Sequence, residues 1–272
     1  SQPLNLMNRK CLLFSGGPDS YIAHYFLKKD GVEFDSLFVH DRENKFEVAA
    51  VINLQRTQLS EDEIVFCKVD SNFCTEYEKS DYEIPGRNLY FAMVAAAEGY
   101  SEIYMVTQKG EMNVPDRTPH FFADASSILT KLMRREIKVL PMFQELTKTE
   151  MVAQYLAAGG FKTALANTRS CYSRDTVSCG ECPACVRRFV AFLLNEVHDT
   201  YDTFPLDSST FKSYINRTDL HPSRAEELVK VQDYFIDKDV PDSMGFFKEA
   251  LRIQSSIGAQ RALEERKFSI LV

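Results

Sequence analysis

Through the first 160 residues, short apolar runs rich in Val, Ile and Phe alternate with longer segments whose apolar residues recur at helical spacing. This alternation is the mark of a parallel sheet whose strands are joined by crossover helices. It predicts strands at Lys10–Phe14, Phe34–His40, Ile64–Val69, Ile103–Thr107 and Ile137–Leu140. Helices are predicted at Ser20–Lys29, Lys45–Leu59, Asn88–Glu98, Pro119–Arg134 and Thr147–Ala158, the last stopping at Gly159–Gly160, where a left-handed C-cap costs little. The expected fold class is α/β, a doubly wound parallel sheet of Rossmann-like type over residues 1–163. After Ala164 the pattern turns into a polar, cysteine-bearing loop and then a helix from about Pro183 to Glu196, so residues 164–196 read as a small subdomain. Residues 197–272 read as a helical C-terminal extension: Ser223 and Glu226 have the spacing of a capping box, and Leu228, Val231 and Phe235 fall on one face.

Composition narrows the chemistry. A chain of 272 residues that is 44% hydrophobic can bury a full core. Its formal charge of −7 argues against a surface that neutralises many phosphates, so a small-molecule partner is expected and direct nucleic-acid binding is not. No stretch approaches the roughly 20 apolar residues a bilayer span needs. Ser1 to Lys10 lacks a basic segment followed by an apolar one, which leads to the expectation of a cytoplasmic protein without membrane attachment. Of the 7 cysteines, four lie within residues 171 to 185, and in a reducing compartment such a cluster reads as metal ligands rather than disulfides.

In a doubly wound sheet, ligands bind beyond the carboxyl ends of the strands, which directs attention to Ser15-Gly16-Gly17-Pro18-Asp19-Ser20 after the first strand. Gly16 and Gly17 let the main chain approach a polyphosphate and aim N–H groups at it, and the following helix adds its partly positive N-terminus. Ser15 and Ser20 can add hydroxyl donors, and Asp19 can hold the Mg²⁺ that accompanies ATP. No Lys follows the glycines, so this is not a G-x-x-x-x-G-K-[ST] loop. The plain alternative is a Gly-Gly turn with a helix cap.

The second motif is Cys171-x7-Cys179-x2-Cys182-x2-Cys185. Four thiolates at this spacing can close a tetrahedral zinc site with no open position, which suits a structural role. An iron–sulfur cluster and four uncoupled thiols remain the alternatives.

The Ser15–Ser20 segment resembles the PP-loop of ATP-pyrophosphatases, which implies cleavage of ATP between the α and β phosphates and hence adenylation. With the cysteine motif, the chain resembles the 7-cyano-7-deazaguanine (preQ0) synthases over most of residues 9 to 190. The matching segments are Ile84-Pro85-Gly86-Arg87-Asn88-Leu89, Pro115-Asp116-Arg117, Pro141 with Lys148-Thr149-Glu150, Cys171-Tyr172, and Cys179-Gly180-Glu181-Cys182-Pro183-Ala184-Cys185. The resemblance implies a carbon–nitrogen ligase that uses ATP, Mg²⁺ and Zn²⁺ to turn 7-carboxy-7-deazaguanine and ammonia into the nitrile, and it implies a homodimer. Asp19 and Ser20 would carry the chemistry by position and charge, without a nucleophile. Ser15, Gly16 and Gly17 would join them on ATP, Arg87, Asn88 and Asp116 would meet the deazaguanine, and the four cysteines would bind the metal.

From the residues alone, Arg87 and Asn88 can simply open a helix and Asp116 can be a turn residue. The chain departs from the family pattern at His40–Glu47, at Pro18 and in the stretch after Val197. These departures leave room for a diverged enzyme that passes the adenylated carboxylate to a protein or DNA amine, for a tRNA-thiolating enzyme, or for an inactive nucleotide-binding scaffold.

Overall fold

The computed structural model describes residues 8–41, 45–59, 63–80, 83–111, 114–173, 177–215 and 221–237. The chain divides into two compact units, Ser1–Leu146 with Tyr155–Arg169 and Thr147–Gln154 with Ser170–Val272.

The first unit is built on a parallel sheet. Its elements run β1 Lys10–Leu13, α1 Pro18–Lys29, β2 Asp35–Asp41, α2 Lys45–Thr57, β3 Ile64–Val69, α3 Phe73–Glu76, α4 Arg87–Ala97, β4 Glu102–Val106, α5 Pro119–Met133 and β5 Lys138–Met142. Then follow α6 Lys148–Ala157, which begins in the second unit, and α7 Lys162–Ala166. The five strands lie in the order β3-β2-β1-β4-β5, and every neighbouring pair is parallel. The α/β class and doubly wound order expected from the alternation are therefore present. β3 matches its predicted bounds, and the other strands begin or end one or two residues away from theirs.

Right-handed crossovers place α1 and α2 on one face of such a sheet and α4 and α5 on the other. On the α4–α5 face, Ala92, Ala95 and Ala96 of α4 pack with Phe122, Ala125 and Leu129 of α5 against Cys11, Leu37, Ile103, Met105 and Val139. The alanines let α4 lie close to the strands, and Phe122, Ala125 and Leu129 recur at three and four residues, the stripe an amphipathic helix needs. α1 buries Ile22, Ala23 and Leu27, and α2 buries Val51 and Leu54. Within the α1 side, buried His24 meets the Ser36 hydroxyl at 2.8 Å and lies edge-on to Phe14 and Phe34. α6 ends as expected: Gly159 has φ 100°, and the N–H of Gly160 returns to the carbonyl of Tyr155 at 2.9 Å.

The second unit is helical. α8 Pro183–Leu194, α9 Ser209–Ile215 and α10 Pro222–Asp237 share one core of Val186, Val190, Leu206, Phe211, Leu228, Val231 and Phe235. The predicted face of Leu228, Val231 and Phe235 is thus the buried face. The helix start differs from expectation. α10 begins at Pro222, and the N–H of Ser223 donates to Nδ1 of His221 at 3.2 Å, so an imidazole does the capping that the sequence pattern assigned to Ser223. Beside this core, Arg188 is buried and donates through Nε to Asp199 at 2.6 Å, and the Tyr201 hydroxyl donates to the same carboxylate oxygen at 2.6 Å. Among the described residues no helix is long and apolar enough to cross a membrane.

Candidate functional site

The strand order reverses beside β1, because β2 lies on one side of it and β4 on the other. The loops leaving the carboxyl ends of β1 and β4 therefore flank the crevice where such sheets take ligands.

The β1 loop is shaped by its glycines. Gly16 sits at φ +78°, and a Cβ built there would lie 2.9 Å from Cγ2 of Val51. A Cβ on Gly17 would approach the carbonyl of Arg169 to 3.3 Å, and the N–H of Arg169 donates to the Gly16 carbonyl at 3.0 Å. Gly16 thus accepts only a bare backbone and Gly17 leaves little room for a side chain, so the main chain of the turn stays open to a close-approaching ligand. Pro18 opens α1 at the position where a missing N–H costs nothing. Asp19 follows in the first turn, next to the helix's positive end. Ser20 is buried and braces the loop: its hydroxyl donates to the Gly17 carbonyl at 3.2 Å and accepts from the Ser15 N–H at 3.2 Å. The Ser15 hydroxyl lies 3.3 Å from that of Ser20 and 3.4 Å from the Gly17 nitrogen.

The β4 loop meets this one through a residue that sequence reading did not select. Gln108, 2% exposed, donates through Nε2 to Oδ2 of Asp19 at 2.6 Å. Its backbone N–H donates to Glu111 at 3.2 Å, and Glu111 is paired with Arg117. The one available signal for Gln108 was topological, since it stands two residues past the end of β4 at the switch point.

The same segment carries Asp116. Its Oδ2 accepts from the Asn88 N–H at 3.2 Å, and its carbonyl accepts from the Asn88 side chain at 3.0 Å. Asn88 and Asp116 are thus brought together at the head of α4, beyond the carboxyl edge of the sheet. α4 itself begins at Arg87 after Gly86 at φ 76°, one residue earlier than predicted. The half-buried Arg87 guanidinium has no hydrogen-bond or ion-pair partner among the described residues.

In the second unit, Cys171, Cys179, Cys182 and Cys185 place their sulfurs within 4.8 Å of one another. The Cys171 and Cys179 sulfurs are 3.5 Å apart, and those of Cys179 and Cys185 4.0 Å. A tetrahedral zinc–thiolate centre, with bonds of about 2.3 Å, needs sulfurs roughly 3.8 Å apart, so this donor set fits one metal ion. Backbone N–H groups already point at the sulfurs: Ser173 and Cys179 donate to Cys171 at 3.3 Å, and Glu181 and Cys182 donate to Cys179 at 3.4 Å. The hydrogen bonds shared among the sulfurs pull the Cys171 thiol down and push those of Cys182 and Cys185 up. Gly180, at φ +78°, lets the turn pass the chain at Thr203, whose carbonyl would lie 1.8 Å from an added Cβ.

Residues 42–196 match the family described as Queuosine biosynthesis protein QueC. The chain belongs to the QueC family. The matched stretch holds the four cysteines, Arg87, Asn88 and Asp116, whereas Ser15–Ser20 precedes it. Among curated relatives, the 7-cyano-7-deazaguanine synthase of a Nitratiruptor species is 28% identical over 205 residues, 66% of this chain and 92% of that one. The enzyme of the same name from Rickettsia conorii is 26% identical, over 71% of this chain and 98% of its own. That from Campylobacter hominis is 27% identical, over 73% and 99%. A crystal structure of a 4-thiouridine synthetase–RNA complex with bound ATP overlays with a TM-score of 0.42 at 18% identity, covering 90% of this chain and 53% of that one. The preQ0 synthase resemblance drawn from the motifs thus finds its family.

Proposed function

We propose that this chain is an ATP-dependent carbon–nitrogen ligase that converts 7-carboxy-7-deazaguanine and ammonia to 7-cyano-7-deazaguanine. The observation that carries the reading is the Gly16–Gly17 turn, bare of side chains, at the head of α1 and at the point where the strand order reverses. A triphosphate laid there has backbone N–H groups and a helix N-terminus for its β and γ phosphates. Asp19 beside it supplies a carboxylate for Mg²⁺. A carboxylate oxygen of the substrate attacks the α-phosphorus, and pyrophosphate leaves into the cradle that stabilises its charge. Ammonia then adds to the acyl carbon of the adenylate, AMP departs, and an amide forms. A second ATP activates the amide oxygen in the same way, and loss of AMP and a proton leaves the nitrile.

Ser15 and Ser20 keep the turn in shape during both passes. Arg87, Asn88 and Asp116 would hold the deazaguanine, Arg87 with a cationic donor and Asp116 with an anionic acceptor for a guanidine-like edge. The four cysteines would hold a structural Zn²⁺ that staples residues 171–185 and takes no part in the chemistry. Homodimerisation and a cytoplasmic setting belong to this reading through the family.

A second reading has its own support. The relatives align over 92 to 99% of their own lengths but over 66 to 73% of this chain, which carries sequence they lack. The adenylated carboxylate would then be delivered to a protein or DNA amine. Incubation with ATP, 7-carboxy-7-deazaguanine and ammonia, followed by mass spectrometry, decides between them. The nitrile is expected, and AMP release without amide or nitrile would overturn the first reading. Asp19→Ala should abolish pyrophosphate release with the circular dichroism spectrum unchanged.

A further inference from the structure

Gln108 is buried to 98% of its surface, being 2% exposed, and only one end of its amide is used. The Asp19 carboxylate is the acceptor of the 2.6 Å contact, so the amide nitrogen must face it and Oε1 is the other end. That oxygen is buried and has no partner among the described residues. A buried carbonyl oxygen left unpaired is costly, and a bound ion or ligand is one of the partners that can complete it.

The side chain stands on a pinned backbone. The Thr107 N–H donates to Met142 at 3.1 Å, the Gln108 N–H to Glu111 at 3.2 Å, and the Lys109 N–H to Leu146 at 2.8 Å. Asp19 follows β1 and Gln108 follows β4, the neighbouring strands between which the order reverses. The loops that carry them flank that crevice, and the Gln108 amide lies directly behind the Asp19 carboxylate. Hard divalent cations take carboxylate and amide oxygens together, and a neutral amide oxygen next to one carboxylate leaves room for the charged oxygens of a triphosphate.

Granting the nucleotide reading of the Ser15–Ser20 loop, on which this rests, we propose that Gln108 is a positioning residue for the divalent cation that accompanies ATP. Its Nε2 fixes the Asp19 carboxylate and its Oε1 supplies a second oxygen. The amide therefore sets both the orientation of the charged ligand and the number of protein oxygens the cation meets.

Mn²⁺ titrated into the full chain saturated with α,β-methylene-ATP, read by its paramagnetic resonance, tests this without turnover. Gln108→Met keeps the shape and removes both polar ends; it should weaken Mn²⁺ binding by about tenfold or more, the loss typical of supporting groups around a metal. Gln108→Glu loses the amide donor but adds an anionic oxygen, so it should bind Mn²⁺ as tightly as wild type or more tightly. If the amide only braced the fold, Gln108→Glu would set two carboxylates against each other and weaken Mn²⁺ binding as Gln108→Met does, and that result overturns the assignment. Unchanged Mn²⁺ affinity in folded Gln108→Met overturns it as well, and if that variant does not fold, Gln108→Glu decides. A wild-type chain that binds no α,β-methylene-ATP would remove the nucleotide reading and this assignment with it.

Discussion

The carboxylate of Asp116 caps a helix that starts earlier in the chain, accepting the backbone N–H of Asn88 at 3.2 Å while its own carbonyl takes the Asn88 side chain. The two substrate-site candidates are therefore one structural unit, and their roles can be separated. Asp116→Ala should lower stability by about 1 kcal/mol through loss of the cap. Asp116→Asn retains an acceptor for the N–H and should keep the melting temperature, while raising the KM for 7-carboxy-7-deazaguanine through loss of the anionic acceptor. Thermal melts and steady-state kinetics on both variants check this. An Asp116→Asn enzyme with wild-type KM would reduce Asp116 to a cap.

Gly16→Ala should impair nucleotide binding directly. The position combines φ +78° with a Cβ site 2.9 Å from Val51, so an alanine must either hold a left-handed conformation, at about 1–2 kcal/mol, or shift the loop. Weaker binding of α,β-methylene-ATP by calorimetry is the expected result, and equal affinity would contradict a main-chain cradle.

Metal analysis of the purified chain should find one zinc per molecule, lost in Cys182→Ser together with part of the thermal stability. Gly180→Ala should act the same way without touching a sulfur, because its Cβ would collide with the Thr203 carbonyl and force the cysteine turn open. Full zinc content in Gly180→Ala would show that the turn can relax around the methyl group.

Acid should destabilise the first unit through His24. Burial pushes this imidazole down to about 4, with Lys28 assisting and Glu63 opposing, from an ordinary value of 6.5. Between those values the unfolded chain holds a proton that the folded chain refuses. The contribution is therefore complete above pH 6.5 and is lost as pH falls toward 4, amounting to about 3 kcal/mol across the window. Urea unfolding from pH 8 to 4 should show this slope, and His24→Gln should flatten it.

Legibility followed the range of the interactions. The strands could be read because a helix-covered parallel sheet demands apolar runs, as in buried Cys11 and Leu12 of β1, while edge strand Ile64–Val69 was legible from its branched and aromatic residues although Phe66 is exposed. The Gly16–Gly17 turn and the cysteine set were visible because their chemistry is local. Gln108 was not, since its meaning lies in a contact with Asp19 that spans 89 positions. Asn88 suggested a helix start by propensity, yet the cap comes from Asp116 in a different segment. At α10 a local pattern misled: Ser223 fits a capping box, but Pro222 prefers the first helical position and moves the cap back to His221.

The central strand of the sheet imposes a timetable on synthesis. Of the five strands β1 is made before the others, but its partner on one side, β4, pairs Glu102 with Lys10 and follows it by about 90 residues. Until then one edge of β1 is an unsatisfied row of amides and carbonyls in the nascent polypeptide, open to wrong strands. A ribosome that stalls before β4 therefore releases a fragment prone to aggregation.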